Sequence, residues 1–573
     1  MRTIHGIPAS TGVARGPWVV LGVADAPAGG RIDRAQTPAE VARLLAARDA
    51  AAEELEALAA ELTGAGRPEG EIFDAQAMMA RDPSLLDAAT VAIGDGNDAI
   101  AAIRIAAAGV ADQLRALGDE LLAARAADVL DVAERIAARL AGVDRTVALD
   151  VPSIVVADDI PPSIAAGLPR ERLLGIALQS GSATSHAAIL ARAFGIPAVV
   201  GAAGLLTAAI GGDEASAGVA VVDGDSGEVV FEPDDAATAR LDDRRAAADR
   251  AARRALEEAS LPAETRDKVG VTLLANIGTP TEAERAVALG AKGVGLFRTE
   301  FLFVERPAAP SEDEQLEANL AVVTAFRPGP VTIRLLDVGG DKPIPWLPIP
   351  PEPNPFLGVR ALRLAAEQPD LFVTQLRAAM RAADGAARVK VMAPMVADAS
   401  DVAVLEDLAA RARTSLLADG LPHGEIELGV MLEIPSAVLV APSFFGRLAF
   451  ASLGTNDLLQ YTLAADRGNA ALERYRDPLH PALLRLIDSA ARDAGAAGVE
   501  LSVCGEMAGD PGAALALVGL GVRVLSMASS SLAPVRRAIR AVDAAALRAT
   551  ARESLDAASA AEVRASFEAL LRG

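Results

Sequence analysis

The feature that most constrains the fold is a regular alternation of short apolar segments with helical segments from Val271 onward. Eight segments have the β-branched, apolar character of buried strands: VTLLAN, GVGLFR, VTIRLLD, VKVMAP, ELGVMLE, AFASLG, ELSVCG and VRVLSM. Helical patterns separate them, and eight strand–helix repeats over about 300 residues are the outline of a (β/α)8 barrel. The sequence therefore predicts a C-terminal TIM barrel whose active site lies where the strands end.

Polar side chains come at the predicted strand ends, where distant segments of the sequence converge on one site. Arg298, Arg334 and Arg360 stand in GLFRTEF, TIRLLDVGGDKP and NPFLGVR. Three arginines at one barrel mouth indicate a dense anionic ligand such as a phosphate ester, because guanidinium groups match phosphate geometry. The alternative is that each arginine pairs with a carboxylate such as Glu300 or Asp337, since an unpaired buried charge is costly.

Two carboxylates, an arginine and a cysteine extend this set. Glu433 ends GVMLE and Asp457 lies in SLGTNDLLQY. Two such carboxylates fit Mg²⁺, which completes its shell with phosphate oxygens and water, although turn chemistry is the alternative for Asn456-Asp457. Arg467, in AADRGN, is a candidate for binding a substrate carboxylate. Cys504 ends the strand LSVC and is either a small buried residue or a general acid.

A second candidate site lies in residues 181–201, GSATSHAAILARAFGIPAVVG. His186 follows the hydroxyl pair Thr184-Ser185 and precedes an apolar run at helical spacing, so we expect it in the first turn of a helix. There the helix dipole disfavours an imidazolium, and free backbone N–H groups can hold an anion. A neutral imidazole beside an anion suits a phosphate-accepting nucleophile; the alternative is a histidine with a purely structural role.

The rest of the chain changes its pattern several times. Residues 1–22 have the pattern of short strands, Thr37-Pro38-Ala39-Glu40 predicts a capping box at the start of a helical bundle, and strand-like runs return at Ser153. Residues 234–262 are rich in Ala, Arg, Asp and Glu and predict a solvated linker helix. We therefore expect a multidomain α/β protein: a β/α domain of residues 1–22 and 146–233, an inserted helical bundle of residues 23–145, the linker of residues 234–262 and a barrel of residues 263–573.

Composition excludes several classes of function. The formal net charge of −23 argues against nucleic acid or an anionic membrane as the main partner and suits a basic protein partner. No apolar window of about 18 residues is present, and the N-terminus lacks the apolar core of a signal peptide. One cysteine rules out an internal disulfide framework, and none of the four histidines has zinc-ligand spacing. These features favour a soluble, cytoplasmic protein.

Eight motifs, in order, carry a resemblance to a known family: GIPASTGVARG, RAADVLDVAERIAARL, TSHAAILARAFGIPAVVG, GVGLFRTEFLF, DVGGDKP, NPFLGVR, SLGTNDLLQYTLAADRGN and CGEMAGD. The chain resembles enzyme I of the phosphoenolpyruvate-dependent sugar phosphotransferase system over nearly its whole length. The resemblance implies a swivelling phosphohistidine domain with an inserted helical bundle, followed by the barrel.

The resemblance also implies roles for individual residues. His186 takes the phosphoryl group of phosphoenolpyruvate and passes it to the histidine-containing phosphocarrier protein HPr, which the bundle binds. Cys504 protonates the enolate to give pyruvate, and the members of the family dimerise through the barrel. Phosphoenolpyruvate is held by Arg298, Arg334, Arg360, Asn456, Asp457 and Arg467, and Mg²⁺ is bound by Glu433 and Asp457.

The sequence departs from the family pattern at two places. Ser182-Ala183 replace a glycine and a basic residue before the TSH motif, and Gln76 stands where related sequences often have histidine. Two competing functions share parts of the pattern. Pyruvate phosphate dikinase and phosphoenolpyruvate synthase need a nucleotide-binding domain, and no GxxxxGK[ST] motif is present. A non-catalytic scaffold has no need of the His, Arg, Glu, Asp and Cys set.

Overall fold

The structure is a computed structural model of two compact units, Met1–Arg250 and Ala251–Gly573. It describes residues 1–573 except 22–26, 65–69, 117–119, 144–148, 162–163, 165–167, 182–186, 189–190, 193–194, 211–217, 304–305, 307, 340–343, 345, 348, 351, 386–387, 467–468 and 573. Each unit has its own apolar core, and each is described by itself.

An eight-stranded sheet organises the first unit in the order β1-β8-β7-β3-β4-β5-β6-β2. Strands β3 to β6 are parallel, and the other pairings are antiparallel. The alternation of side chains along β4 fills two cores, with Val155 on one face and Ile154 and Val156 on the other. The strands are β1 (Arg2–His5), β2 (Ile7–Ser10), β3 (Val13–Val20), β4 (Ser153–Ala157), β5 (Leu173–Leu178), β6 (Ala198–Val200), β7 (Val219–Asp223) and β8 (Glu228–Phe231).

Five helices lie between β3 and β4 in sequence and form the bundle: α1 (Thr37–Gly64), α2 (Gly70–Ala80), α3 (Pro83–Gly94), α4 (Ala99–Ala116) and α5 (Glu120–Ala141). The predicted capping box at Thr37 is wrong. A 3₁₀ turn, Arg34–Gln36, runs directly into α1, and the Asp33 N–H donates to Gln36 Oε1 at 2.9 Å. Glu40 instead accepts from the Ala99 N–H at 2.9 Å, because the first N–H groups of α4 have no partner within their own helix.

The predicted linker helix is present as α7 (Asp235–Glu257), which follows the short helix α6 (Leu205–Ile210). Most of its described side chains are exposed. Its first half is tied to the sheet of the first unit, since Arg244 Nη1 lies 2.5 Å from Asp223 Oδ2 and Arg240 Nη2 lies 3.0 Å from Glu228 Oε1. A helix with few large apolar residues thus packs through ion pairs at one end.

Eight parallel strands close into a barrel in the second unit, which confirms the predicted fold class. Strand β16 pairs with β9, so the sheet has no free edge. The strands are β9 (Thr272–Ile277), β10 (Val294–Arg298), β11 (Val331–Arg334), β12 (Val389–Ala393), β13 (Glu427–Leu432), β14 (Phe450–Leu453), β15 (Glu500–Val503) and β16 (Val524–Met527). The helices are α8 (Thr281–Ala288), α9 (Glu312–Phe326), α10 (Pro369–Ala382), α11 (Ala399–Asp419), α12 (Pro435–Val440), α13 (Thr455–Leu463), α14 (Pro481–Ala497), α15 (Pro511–Gly519), α16 (Leu532–Arg540), α17 (Ala544–Ser554) and α18 (Ala560–Arg572).

Apolar side chains fill the interior of the barrel beneath its mouth. Leu296, Met392, Met431, Phe450 and Cys504 form one buried apolar cluster. Gly429 leaves room for the Phe450 ring in this cluster, because a Cβ on Gly429 would lie 2.4 Å from Phe450 Cε1. Chemistry at this barrel is therefore confined to its mouth. No helix in the described part of the chain is long and apolar enough to cross a membrane.

Candidate active site at the barrel mouth

The barrel brings most of the predicted site residues to the carboxyl ends of its strands. Arg298 and Arg334 are the last residues of β10 and β11, and Glu433 and Cys504 directly follow β13 and β15. Asn456 and Asp457 lie in the first turn of α13, after β14. Arg360 comes from the long connection between β11 and α10. His186 and Arg467 lie outside the described residues, so their roles stay predictions.

Two of the three arginines pair with carboxylates, as the alternative interpretation of the sequence required. Arg334 Nη2 lies 2.7 Å from Glu300 Oε1, and Arg334 Nη1 lies 3.2 Å from Asp337 Oδ2. Arg360 Nη2 lies 2.8 Å from Asp337 Oδ1. Burial lowers the pKa of each guanidinium, but the facing carboxylates outweigh it and hold the pKa of both arginines above the usual value. Both arginines are therefore permanently charged.

These ion pairs do not use every donor of the two arginines. Arg334 Nε and Arg360 Nη1 are buried and have no hydrogen-bond partner among the described residues. Leaving a buried charged donor unpaired costs about 1–3 kcal/mol or more, and native structures rarely tolerate it without a ligand or water. Arg298, at the end of the neighbouring strand, differs from these two arginines because it has no ion-pair partner in the described ranges. Three guanidinium groups thus offer donors to an anion at this mouth.

The buried carboxylates crowd one another on the other side of the mouth. Glu433 is 1 % exposed, and its Oε1 accepts from the Met395 N–H at 2.6 Å. Burial, and then the charges of Asp457 and Asp337, raise the pKa of Glu433 well above its usual range. A divalent cation would relieve this repulsion, and the carboxylate oxygens of Glu433 and Asp457 are hard donors of the kind that Mg²⁺ prefers. The described residues offer no cluster of three or more metal-ligating side chains, so the remaining ligands would come from substrate and water.

Cys504 is held as a neutral thiol. Its side chain is 3 % exposed, and its Sγ donates to the Leu453 carbonyl at 3.7 Å. Burial raises its pKa to about 11, so the thiol keeps its proton near neutral pH. Asn276 fixes the adjacent main chain, because its Nδ2 donates to the Cys504 carbonyl at 2.9 Å while Ser526 Oγ donates to its Oδ1 at 2.6 Å. A buried, protonated thiol at a strand end is suited to donating a proton.

The loops after β14 and β15 touch at one glycine. A Cβ on Gly505 would lie 1.9 Å from Thr455 Oγ1, so any larger residue at this position would force the two loops apart. Beside this contact the Glu506 N–H donates to Asn456 Oδ1 at 3.1 Å, which fixes which atom of the amide is the oxygen. The Asn456 Nδ2 group has no partner among the described residues and remains available as a donor to a ligand.

The mouth opens on one side into a cavity of about 520 Å³. Arg298 stands in its wall, together with the 61 % exposed ring of Phe301 and the side chain of Glu506. Sequence reasoning missed the structural residues Asn276, Thr455 and Met395. Met395 carried no local signal; it has a left-handed φ of 57°, and its N–H donates to Glu433.

Models of three families match the chain in order. They are the N-terminal domain of PEP-utilising enzymes at residues 5–125, the mobile domain of PEP-utilising enzymes at residues 149–227 and their PEP-binding domain at residues 252–544. The third match covers the barrel whose mouth gathers the arginines and carboxylates. Fold and site together therefore define a PEP-utilising enzyme.

Individual relatives narrow this class. The chain is 42% identical to the phosphoenolpyruvate-protein phosphotransferase of Streptomyces coelicolor, over 100% of this chain and 99% of that protein. It is 39% identical to the phosphoenolpyruvate-protein phosphotransferase of Geobacillus stearothermophilus, over 94% of this chain and 93% of that protein. The chain belongs to the phosphoenolpyruvate-protein phosphotransferase family. The resemblance to enzyme I and the expectation of an enzyme are thereby confirmed.

Proposed function

We propose that this protein transfers the phosphoryl group of phosphoenolpyruvate to its own His186, releases pyruvate, and passes the group on to a histidine of HPr, which drives sugar phosphorylation during uptake. The observation that carries the proposal is the pair of buried, unpartnered donors, Arg334 Nε and Arg360 Nη1, at the mouth of a barrel matched to a PEP-binding domain. Phosphoenolpyruvate carries a phosphate and a carboxylate, and both need such donors.

Different residues of the barrel mouth bind the substrate and the metal ion. Arg298, Arg334 and Arg360 receive the anionic groups of the substrate, with Asn456 Nδ2 as a neutral donor and Arg467 for the carboxylate. Glu433 and Asp457 would hold Mg²⁺, which would supply positive charge to stabilise the substrate phosphate. Because the folded barrel already holds these donors in position, they need little rearrangement during the reaction.

The chemical step follows from the remaining groups. Neutral His186 attacks phosphorus in line with the enol oxygen, so a P–N bond forms as the P–O bond breaks. The enolate leaves with the bonding electron pair, and the Cys504 thiol donates its proton to the methylene carbon to complete pyruvate. The resulting thiolate regains a proton from solvent. The two units must approach each other for attack and separate for delivery to HPr, as hinged motion allows.

The protein partners are proposed chiefly from the family resemblance. We infer that the helical bundle docks HPr and that two copies of the chain associate through the barrel. The net charge of −23 supports a basic protein partner, and the lack of a membrane-spanning helix in the described ranges is compatible with a cytoplasmic enzyme. Sedimentation of the full chain at several concentrations tests the dimer.

The deciding experiment incubates the full-length protein with Mg²⁺ and phosphoenolpyruvate radiolabelled on phosphorus. We expect acid-labile, base-stable label on the parent and none on His186→Ala. His423→Ala is the matched control, because His423 sits in a loop of the barrel unit with its Nδ1 2.9 Å from the Leu421 carbonyl oxygen, and it should label like the parent. An unlabelled parent with native circular dichroism would refute the proposal in favour of a scaffold, and label arriving only from ATP would indicate a dikinase.

A further inference from the structure

Asp337 occupies the point where the two buried arginines meet. Its side chain is 2 % exposed, and its two oxygens serve different partners. Oδ2 lies 3.2 Å from Arg334 Nη1, whereas Oδ1 accepts from Arg360 Nη2 at 2.8 Å and from Arg360 Nε at 3.2 Å. Behind it, Glu300 Oε1 accepts both from the Asp337 N–H at 3.1 Å and from Arg334 Nη2 at 2.7 Å.

We propose that Asp337 is a positioning residue for phosphoenolpyruvate binding: it fixes the spacing and rotation of Arg334 and Arg360 so that one donor of each is left for the substrate. The inference deepens the proposed function and rests on it. Because each carboxylate oxygen faces a different arginine, rotation of either guanidinium breaks an ion pair with Asp337, and rotation of Arg360 also breaks two charge-assisted hydrogen bonds. The donors that this arrangement leaves unpaired are Arg334 Nε and Arg360 Nη1.

The main chain around Asp337 is fixed as firmly as its side chain. Gln375 Oε1 accepts from the Leu336 N–H at 2.9 Å, and Thr299 Oγ1 donates to the Arg334 carbonyl at 2.8 Å. The segment that carries Arg360 approaches closely, because a Cβ on Gly339 would lie 2.7 Å from Arg360 Cβ. Gly339 also has a φ of +111°, which favours glycine. The two arginines are thus held by a frame that has little freedom to adjust.

A comparison of Asp337→Asn with Glu300→Gln distinguishes the effect of side-chain pairing from the effect of losing one negative charge. In Asp337→Asn the amide nitrogen must face either Arg334 or Arg360, and a donor facing a donor breaks one of the two pairings. In Glu300→Gln both contacts can persist, since both run through the single oxygen Oε1. Each variant removes one negative charge from the same buried cluster. Because the change in net charge is the same, a difference between the two variants reports how each side chain pairs with the arginines.

The test measures phosphoenolpyruvate binding by calorimetry in a His186→Ala background, where no transfer occurs, and the KM and kcat of labelling in the His186 background. We expect Asp337→Asn to weaken binding and raise KM about 10-fold or more, the effect of breaking one contact of a buried ion pair, and Glu300→Gln to change both less than about 3-fold. A merely structural role would reduce the labelled fraction and the thermal midpoint while leaving KM unchanged.

The outcomes separate the two proposals. Equal effects of Asp337→Asn and Glu300→Gln, or an unchanged KM in Asp337→Asn, would overturn the positioning role while leaving the proposed function intact. A parent protein that neither binds phosphoenolpyruvate nor becomes labelled would remove the proposed function and this inference with it. Asp313→Asn is a surface control, because Asp313 pairs with Arg381 at 2.8 Å with its side chain 83 % exposed, and it should behave as the parent does.

Discussion

The close approach of Gly505 to Thr455 at the barrel mouth offers a sharp test of the site geometry. Gly505, between Cys504 and Glu506, has φ −73° and ψ 164°, which alanine adopts without strain. A Cβ at this position would nevertheless lie 1.9 Å from Thr455 Oγ1, 2.8 Å from Thr455 N and 3.0 Å from Thr455 Cβ. Gly505→Ala therefore perturbs the site through space alone, by forcing apart the loops after β14 and β15.

The size of the effect follows from that overlap. Relieving the contact requires a shift of about 1 Å between the two loops, and overpacking of this kind costs about 1–3 kcal/mol of stability. The same shift moves Cys504 relative to Asn456 and Asp457, and a misplacement of about 1 Å can cost about 100-fold in rate. We expect Gly505→Ala to fold, to lose a few degrees of thermal stability and to label with phosphoenolpyruvate about 100-fold more slowly.

Two companion variants make the prediction refutable. Gly495→Ala, in the last turn of α14 with no atom within 4 Å of its added Cβ, should gain less than about 1 kcal/mol from helix propensity and keep its activity. Thr455→Ala in the Gly505→Ala background removes the 1.9 Å contact but leaves the backbone contact, so it should rescue activity only in part. Parent-like labelling by Gly505→Ala, measured as initial rates alongside circular dichroism melts, would show that the steric reasoning is wrong.

Three further predictions concern single groups. Since burial raises the pKa of Cys504 to about 11, its alkylation by iodoacetamide should be slow at pH 7 and rise about tenfold per pH unit up to pH 10, with phosphoenolpyruvate protecting; a flat pH profile would contradict the raised pKa. Glu314 has its pKa lowered to about 2 by hydrogen bonds from Arg306 and then Ser311, so its contribution to stability is present above about pH 4.5 and lost as the pH falls toward 2. Because this side chain is half exposed, Glu314→Gln should cost less than about 1 kcal/mol, and the difference in thermal midpoint from the parent should shrink between pH 6 and pH 3. Arg536 is 2 % exposed and donates to the carbonyls of Glu258, Leu289 and Gly290. Because Arg536→Met would leave these carbonyls without their donor, it should destabilise the barrel unit by about 2–4 kcal/mol in thermal unfolding. Arg537→Met, whose nearest ion-pair contact is 3.9 Å long, should have little effect.

The barrel was predictable from sequence because its pattern repeats eight times, so errors at single strand ends do not change the interpretation. The predicted strand VTIRLLD, for example, ends in the structure at Arg334, and its last apolar residues, Leu335 and Leu336, are buried beyond the strand. The helix start at Thr37 shows the opposite case. Glu40 had the right spacing for a local cap, yet its partner is the Ala99 N–H, and no local pattern can indicate a partner so far along the chain.

The ion pairs of the candidate site also depend on partners that local sequence patterns do not reveal. The residue types at the strand ends predicted an anion site, but counting arginines overstated its positive charge, because Glu300 and Asp337 neutralise much of the charge of Arg334 and Arg360. Asp337 stands three residues after Arg334, a spacing visible in the sequence, whereas its bond to Arg360 depends on the path of the intervening loop. A mouth with nearly balanced buried charge binds an anion through the direction of its free donors more than through net attraction. Affinity for phosphoenolpyruvate should therefore depend less on ionic strength than three exposed arginines would suggest, since buried pairs are weakly screened.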